Sequence, residues 1–365
     1  MEIITLIVVL VALILVHEFG HFVAAKLSGM RVDEFGIGYP PRAARLWKKG
    51  DTEYTLNWLP FGGFVRIFGE DGEAKNSDGR AFTDKNRFVQ AIVLVAGIGM
   101  NLLFAWILIS ASLFSGTPRA LDASEVAAAT NAHITISDVL PGSPAAEAGI
   151  LAGDTVLQAI TPSGTFTAPD AEAFTEFIAA DQSGTPITFD LERNGDELVI
   201  SVIPQAGIIS SDPSREAIGV AVAVVGTVPM TWYDAPLLGA HYTWSLIKLT
   251  AMGLLHFFAG IFTLSADFSQ VAGPVGIAGA VGSASEAGFA SLIALTAIIS
   301  INLALINLIP VPALDGGRLL FVIIESITRR RIKPSIAQAV NTVGFGLLIL
   351  LMVVVTAHDI WRIVA

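Results

Sequence analysis

The chain of 365 residues contains no cysteine. No disulfide can staple it and no thiolate can hold a metal, so any bound metal must be held by His, Asp or Glu. Charge is scarce as well. Only 15% of residues are charged, where a soluble domain carries about 25%. Bases are the scarcer sign, 21 against 32 acids for a net charge of −11, which argues against nucleic acid as a partner. With 53% hydrophobic residues, the composition excludes an ordinary soluble domain and points to an integral membrane protein whose first partner is the lipid bilayer.

Four apolar runs have spanning length: about Ile3–Ala24, Phe88–Phe114, Ala290–Ile309 and Ile336–Val355. A fifth, about Tyr242–Leu264, is interrupted by Lys248, His256, Thr243, Thr250 and Gly253. Basic residues orient the chain. Eleven of the 21 fall between Ala25 and Arg87, and Arg318, Arg329, Arg330, Arg331 and Lys333 cluster between the last two runs. The stretch from Ser115 to Asp234 holds only Arg119, Arg193 and Arg215 against sixteen acids. The positive-inside rule places both basic regions in the cytoplasm and the acidic middle, with both termini, outside. If the fifth run does not cross, the runs ending near Ala24 and Ile309 descend in the same direction. An interfacial or re-entrant helix is therefore the expectation for Tyr242–Leu264.

The first run ends in chemistry. Residues Ile3 to Val16 carry no charge and one hydroxyl, Thr5, and His17-Glu18-Phe19-Gly20-His21 follows. A helix turns about 100° per residue, so His17 and His21 share a face one turn apart and can hold a zinc ion. Glu18 is placed beside them as general base for a water on that metal. A secretory signal peptide fits poorly, because ionisable residues would fill the end of its apolar region. A stray polar cluster fits poorly too, since such groups are costly in a spanning helix. Catalytic zinc needs a third protein ligand. His133 and His358 read as surface and interfacial imidazoles, and Asp315 is the better candidate. Pro310 and Pro312 break the third run, Gly316 and Gly317 allow a close turn, and Leu319–Ile327 is apolar again. A carboxylate in that setting is costly unless a metal pairs with it. The alternative is a solvated Pro/Gly turn beside the basic cluster.

These residues resemble the site-2 protease family of intramembrane zinc metalloproteases, and most closely the bacterial regulators of sigma-E protease. His17-Glu18-Phe19-Gly20-His21 is similar to the first zinc motif of that family and Leu314-Asp315-Gly316 to the second. The resemblance implies Zn2+ bound by His17, His21 and Asp315, with Glu18 as catalytic acid/base. It implies an enzyme of the bacterial inner membrane, its active site near the cytoplasmic side, that cleaves single-pass membrane proteins such as anti-sigma factors, or remnant signal peptides. Asn302 and Asn307 match paired asparagines that help hold an unwound substrate; interhelical hydrogen bonding is the plainer role. Gly273-Pro274-Val275-Gly276 is similar to a family loop, or is a turn that starts a helix.

The expected fold is a polytopic α-helical membrane protein with about four spanning helices, a membrane-associated β-hairpin or sheet, an interfacial helix and an inserted α/β PDZ domain. Residues 1–117 form the membrane core with its cytoplasmic β segment. Residues 118–207 form the extracytoplasmic PDZ domain, and 208–365 the linker, the interfacial helix and the last two spans. In the insert, His133–Leu140, Thr155–Ile160, Pro186–Arg193 and Glu197–Ile203 read as strands, Asn194-Gly195 as a hairpin turn and Asp170–Ala180 as a helix capped by Asp170. Pro141-Gly142-Ser143-Pro144 through Gly153-Asp154 looks like a PDZ stretch. Members with two tandem PDZ domains are common; the length here leaves room for one. It serves either to capture a peptide or to gate access. Glu53–Phe68, broken by Pro60 and Gly62-Gly63, reads as strand–turn–strand. By position it resembles the family's membrane-associated sheet, implying that Gly62, Gly63 and Phe64 bind an extended substrate at an edge; bracing the first two spans is the alternative. The rival functions are a membrane metal-binding or transport protein, and a PDZ scaffold with a structural zinc site.

Overall fold

A computed structural model describes residues 2–70, 78–180, 184–193, 195–208, 215–228, 230–263 and 273–364. The chain divides into two compact units, Met1–Ser115 with Trp232–Ala365, and Gly116–Thr231.

The first unit opens with α1 (Glu2–Leu27). It ends in a glycine-terminated cap: Gly29 takes φ +67, its N–H donates to the Lys26 carbonyl at 3.0 Å, and the Met30 N–H reaches back to the Ala25 carbonyl at 2.9 Å. This geometry satisfies carbonyls that the helix end would otherwise leave bare. Two long strands follow, β1 (Val32–Lys49) and β2 (Thr52–Ile67), which turn at Gly50-Asp51. Residues 42–49 pair with 52–57, whereas 63–67 pair with 32–37. The expectation of a hairpin within Glu53–Phe68 is thus corrected. Pro60 and Gly62, the latter at φ +101, do bend the chain, but the two halves pair with β1 and not with each other. The partner strand was missed because Pro40-Pro41 interrupts its pattern. Buried Glu34 ties the sheet together, accepting from Thr55 at 2.7 Å and Arg42 at 3.1 Å and lying 3.3 Å from Arg66.

Helix α2 (Arg87–Phe114) begins at Asn86, whose side chain accepts from the Val89 N–H at 2.9 Å. It packs on α1 and the sheet around Ala25, Met30, Val32, Ile67, Val93 and Leu94.

The second unit contains β3 (Arg119–Ala120), α3 (Ala123–Val126), β4 (Thr130–Val139), α4 (Pro144–Glu147), β5 (Thr155–Thr161), β6 (Gly164–Phe166), α5 (Ala171–Ala180), β7 (Ile187–Arg193), β8 (Asp196–Val202) and β9 (Val220–Thr227). Its sheet runs β3-β9-β4-β5-β7-β8, with β6 on β5. The expected strands and helix form near their expected positions, and Asp170 caps α5 by accepting from Glu172 and Ala173 at 3.0 Å. Asn194 lies outside the described residues. The unit extends past the expected boundary at 207 because β9 pairs with β3 and β4. Its core is formed by Ile136, Ile150, Phe174, Ile187, Phe189 and Leu191, all buried. Each such side chain stabilises the fold by about 1.5–3 kcal/mol.

The chain returns to the first unit with α6 (Asp234–Thr263), α7 (Pro274–Glu286), α8 (Phe289–Leu308), α9 (Asp315–Thr328) and α10 (Pro334–Val364). Among the described residues, four helices are long and apolar enough to cross a membrane: Ile3–Leu27, Arg87–Phe114, Phe289–Leu308 and Ser335–Trp361. Helix α6 is not among them. It lies on α2, where the Trp106 indole N–H donates to the Pro236 carbonyl at 2.9 Å. Leu264 lies outside the described residues. Gly273-Pro274 starts α7, and the Asp359 carboxylate on α10 accepts from the Gly276 N–H at 2.8 Å and the Gly273 N–H at 3.3 Å.

One buried ion pair in the second unit sets a pH dependence. Asp154, 1% exposed, accepts from Arg193 at 2.6 and 2.8 Å and from the Leu151 N–H at 2.9 Å. Burial alone would push this carboxyl up; Arg193 and the Leu151 N–H outweigh it and hold the carboxyl below its ordinary value. The stabilisation is therefore present above the unfolded pKa of about 3.9 and lost as pH falls through the lower folded value. Hydrogen exchange on the intact protein should show β5 and β7 equally protected from pH 7 to 5 and less protected below about pH 4. Arg193→Met should lose about 1–3 kcal/mol of that protection at pH 7; unchanged protection would show the pair to be dispensable.

Candidate metal centre

Helix α1 places His17 and His21 on one face, both buried, at 7% and 8% exposure. Their Nε2 atoms lie 3.1 Å apart. The Asp315 Oδ2 lies 2.9 Å from the first and 3.2 Å from the second. Three ligands bound at about 2.0–2.1 Å around a tetrahedral centre are separated by roughly 3.3 Å. The triangle is therefore of the size a tetrahedral metal requires, and two imidazoles with one carboxylate leave a fourth position open. Among the described residues this is the single group of three such side chains close enough to hold a metal.

Asp315 reaches the histidines, 298 residues away from His17, because α8 stops. Ile309 precedes Pro310 and takes extended angles, as a residue before proline must. A tight loop follows, with the Val311 N–H on the Ile309 carbonyl at 2.7 Å. Ala313 sits at φ +75, a conformation that costs a non-glycine residue about 1–3 kcal/mol. Its N–H donates to the Asn341 side chain of α10 at 3.3 Å. Asp315 then begins α9. A Cβ at Gly316 would lie 2.3 Å from the Ile309 carbonyl oxygen, so only glycine lets α9 fold back on the end of α8.

Helix α2 supplies the wall behind the histidines. The His21 Nδ1–H donates to the Val93 carbonyl at 2.8 Å, and the Asn101 amide lies 3.3 Å from the His17 Nδ1. A Cβ at Gly97 would lie 2.4 Å from the His21 Nε2 and 2.9 Å from the His17 Cε1. A Cβ at Gly20 would lie 2.4 Å from the Ala96 carbonyl oxygen. Neither Gly97 nor Asn101 stood out in the sequence, since both are ordinary residues in an apolar helix.

Glu18 is kept out of the ligand set. Its Oε2 accepts from the Val65 N–H of β2 at 2.9 Å, at one wall of a cavity of about 360 Å3. Asp315, His21, Tyr39, Gly63, Phe64 and Arg318 also line this cavity. Tyr39 is 48% exposed; its partial burial and then the Glu18 carboxylate push its phenol above its ordinary value. The expected substrate residues divide. Gly63 and Phe64 line the cavity; Gly62 lies behind it against the Tyr39 ring. Asn302 and Asn307 lie half-buried on α8 and are not among its lining residues.

A model of the family described as Peptidase family M50 matches residues 5–351. The chain belongs to peptidase family M50. Several relatives match nearly the whole length of this chain. A protein of Clostridium perfringens provisionally named a zinc metalloprotease is 37% identical over 96% of this chain and 95% of its own. The zinc metalloprotease RasP of Geobacillus kaustophilus is 31% identical over 99% of this chain and 98% of its own. The chloroplastic membrane metalloprotease ARASP of Arabidopsis thaliana is 28% identical over 97% of this chain and 77% of its own.

The close approach at Gly97 gives a test of this M50 centre. Gly97→Ala should strip bound divalent metal from the purified protein to well below one per chain. Gly99→Ala, on the same helix with open space at its Cβ, should leave metal content unchanged. Equal content in both, measured by elemental analysis, would show that the approach of α2 does not shape the site.

Proposed function

We propose that this M50 member is an intramembrane zinc metalloprotease that hydrolyses peptide bonds within the spanning segments of single-pass membrane proteins. The observation that carries the reading is the separation of roles at one point. Three side chains converge to hold a metal, and a fourth, Glu18, is held beside them by the Val65 N–H. A transport or purely structural site has no use for a carboxylate held aside next to an open position. His17, His21 and Asp315 would hold the zinc, which when bound would supply a Lewis acid for the scissile carbonyl and for water near neutral pH.

The chain's own residues do the rest. Glu18 takes a proton from the attacking water and delivers it to the leaving amine nitrogen as the C–N bond breaks. The Val65 N–H orients that carboxylate. Residues 63–67 pair with β1 on one edge, while the other edge faces the cavity. A spanning helix buries its amides in its own hydrogen bonds, so a substrate must unwind before its carbonyl can be reached. The strand edge at Gly63 and Phe64, which lines the cavity, offers replacement partners. Asn302 and Asn307, half-buried on α8 and not lining this cavity, would reach a substrate only where it runs along α8.

The distribution of Lys and Arg supports an enzyme of the bacterial inner membrane with its active site towards the cytoplasmic side and residues 116–231 outside. Substrates with a cytoplasmic amino end, such as anti-sigma factors or remnant signal peptides, fit that orientation. The strands and capped helix of the second unit support a PDZ-like domain, which would bind a peptide or exclude bulky substrates.

Glu18→Gln is the decisive variant. It should retain about one zinc per chain, while cleavage of a model spanning peptide in proteoliposomes falls by about 10²–10⁴-fold. Unchanged cleavage would overturn the proposal.

A further inference from the structure

Each histidine of the centre uses one ring nitrogen there, and the partner of its other nitrogen decides the tautomer. For His21 that partner is the Val93 carbonyl, 2.8 Å from Nδ1. A carbonyl only accepts, so Nδ1 carries the hydrogen and Nε2 presents its lone pair to the centre. His17 meets a different group. Its Nδ1 lies 3.3 Å from the side-chain amide of Asn101, which is fully buried. The Oδ1 of the same amide is buried without a hydrogen-bond partner among the described residues. Asn101 is held from behind, its backbone carbonyl accepting from the Ser300 hydroxyl of α8 at 2.8 Å.

With Nδ2 towards His17, the imidazole must accept at Nδ1 and carry its hydrogen on Nε2, which then has no lone pair for a metal. A carboxamide presents nearly the same shape either way round, and turning it over exchanges donor for acceptor. Either orientation leaves one end of the amide short of a partner, so the histidine decides. We propose that Asn101 is a positioning residue whose Oδ1 accepts from the His17 Nδ1–H and holds His17 in the tautomer that binds metal through Nε2. A ligating histidine commonly leans on a carboxylate or carbonyl in this way. The inference rests on His17 being a zinc ligand.

The test uses the intact protein in detergent micelles, with zinc affinity measured by competition against a chelator. Asn101→Leu keeps the volume and removes the acceptor; it should weaken zinc binding by about 10–100-fold. Asn101→Asp restores an acceptor and should recover most of that loss. Wild-type affinity in Asn101→Leu would overturn the proposal. Failure of Asn101→Asp to recover what Asn101→Leu loses would assign the effect to packing and would also overturn it. Nitrogen NMR of histidine-labelled, zinc-loaded wild-type protein decides the case even if the variants do not fold. It should show His17 with hydrogen on Nδ1 and metal on Nε2, and the opposite assignment overturns the proposal. His17→Ala separates the two readings: zinc retained at full affinity there refutes His17 as a ligand, whatever Asn101 does.

Discussion

Two imidazoles and a carboxylate within about 3 Å of one another, buried in an apolar helix bundle, are the contact on which the rest of the membrane unit depends. Desolvating such groups costs several kcal/mol each unless they answer one another or a metal. Much of the surrounding architecture serves to bring them together. Gly20 and Gly97 let α1 and α2 approach until the rings lie against the α2 backbone. Pro310 ends α8, Ala313 accepts an unfavourable backbone conformation, and Gly316 lets α9 fold back, all so that Asp315 arrives at the right place. Strain kept in one short loop beside a ligand is the pattern expected where geometry serves chemistry rather than stability.

The sheet completes the centre from the other side. Its segment 63–67 is anchored to β1, which Glu34 ties to the neighbouring segments through Thr55, Arg42 and Arg66. That anchoring presents the Val65 N–H to Glu18 from a rigid element. The same segment borders the cavity, so under the proposed function one strand would both orient the general base and offer main-chain groups to an unwound peptide. Bracing α1 and α2 would not by itself require a backbone N–H directed at the Glu18 carboxylate.

Much of this was legible in the residues, for reasons that can be named. Long apolar runs and the i, i+4 histidine pair are local signals, and they located the four helices apolar enough to span and two of the three side chains that cluster. Asp315 was legible because Pro310, Pro312 and the glycines mark a break where an acid has no other business. Long-range pairing was not legible. Pro40-Pro41 hid β1, and Gly62 looked like a turn between partners when it is a bend between strangers. The part of the second unit after residue 207 was missed because β9 joins its sheet from far along the chain. Gly97 and Asn101 carry no local signature at all; their roles exist only once α2 lies against α1. Asn302 and Asn307 were singled out by resemblance, and the fold sets them apart from the cavity wall.

The convergence of Asp315 with the histidines is the central claim, and the absence of cysteine from the chain makes a direct measurement available. Zinc K-edge X-ray absorption on the intact Asp315→Cys protein should show a sulfur scatterer at about 2.3 Å together with two imidazoles. A zinc ion held by imidazoles with no sulfur in its first shell would contradict the account, because residue 315 would then lie away from the metal.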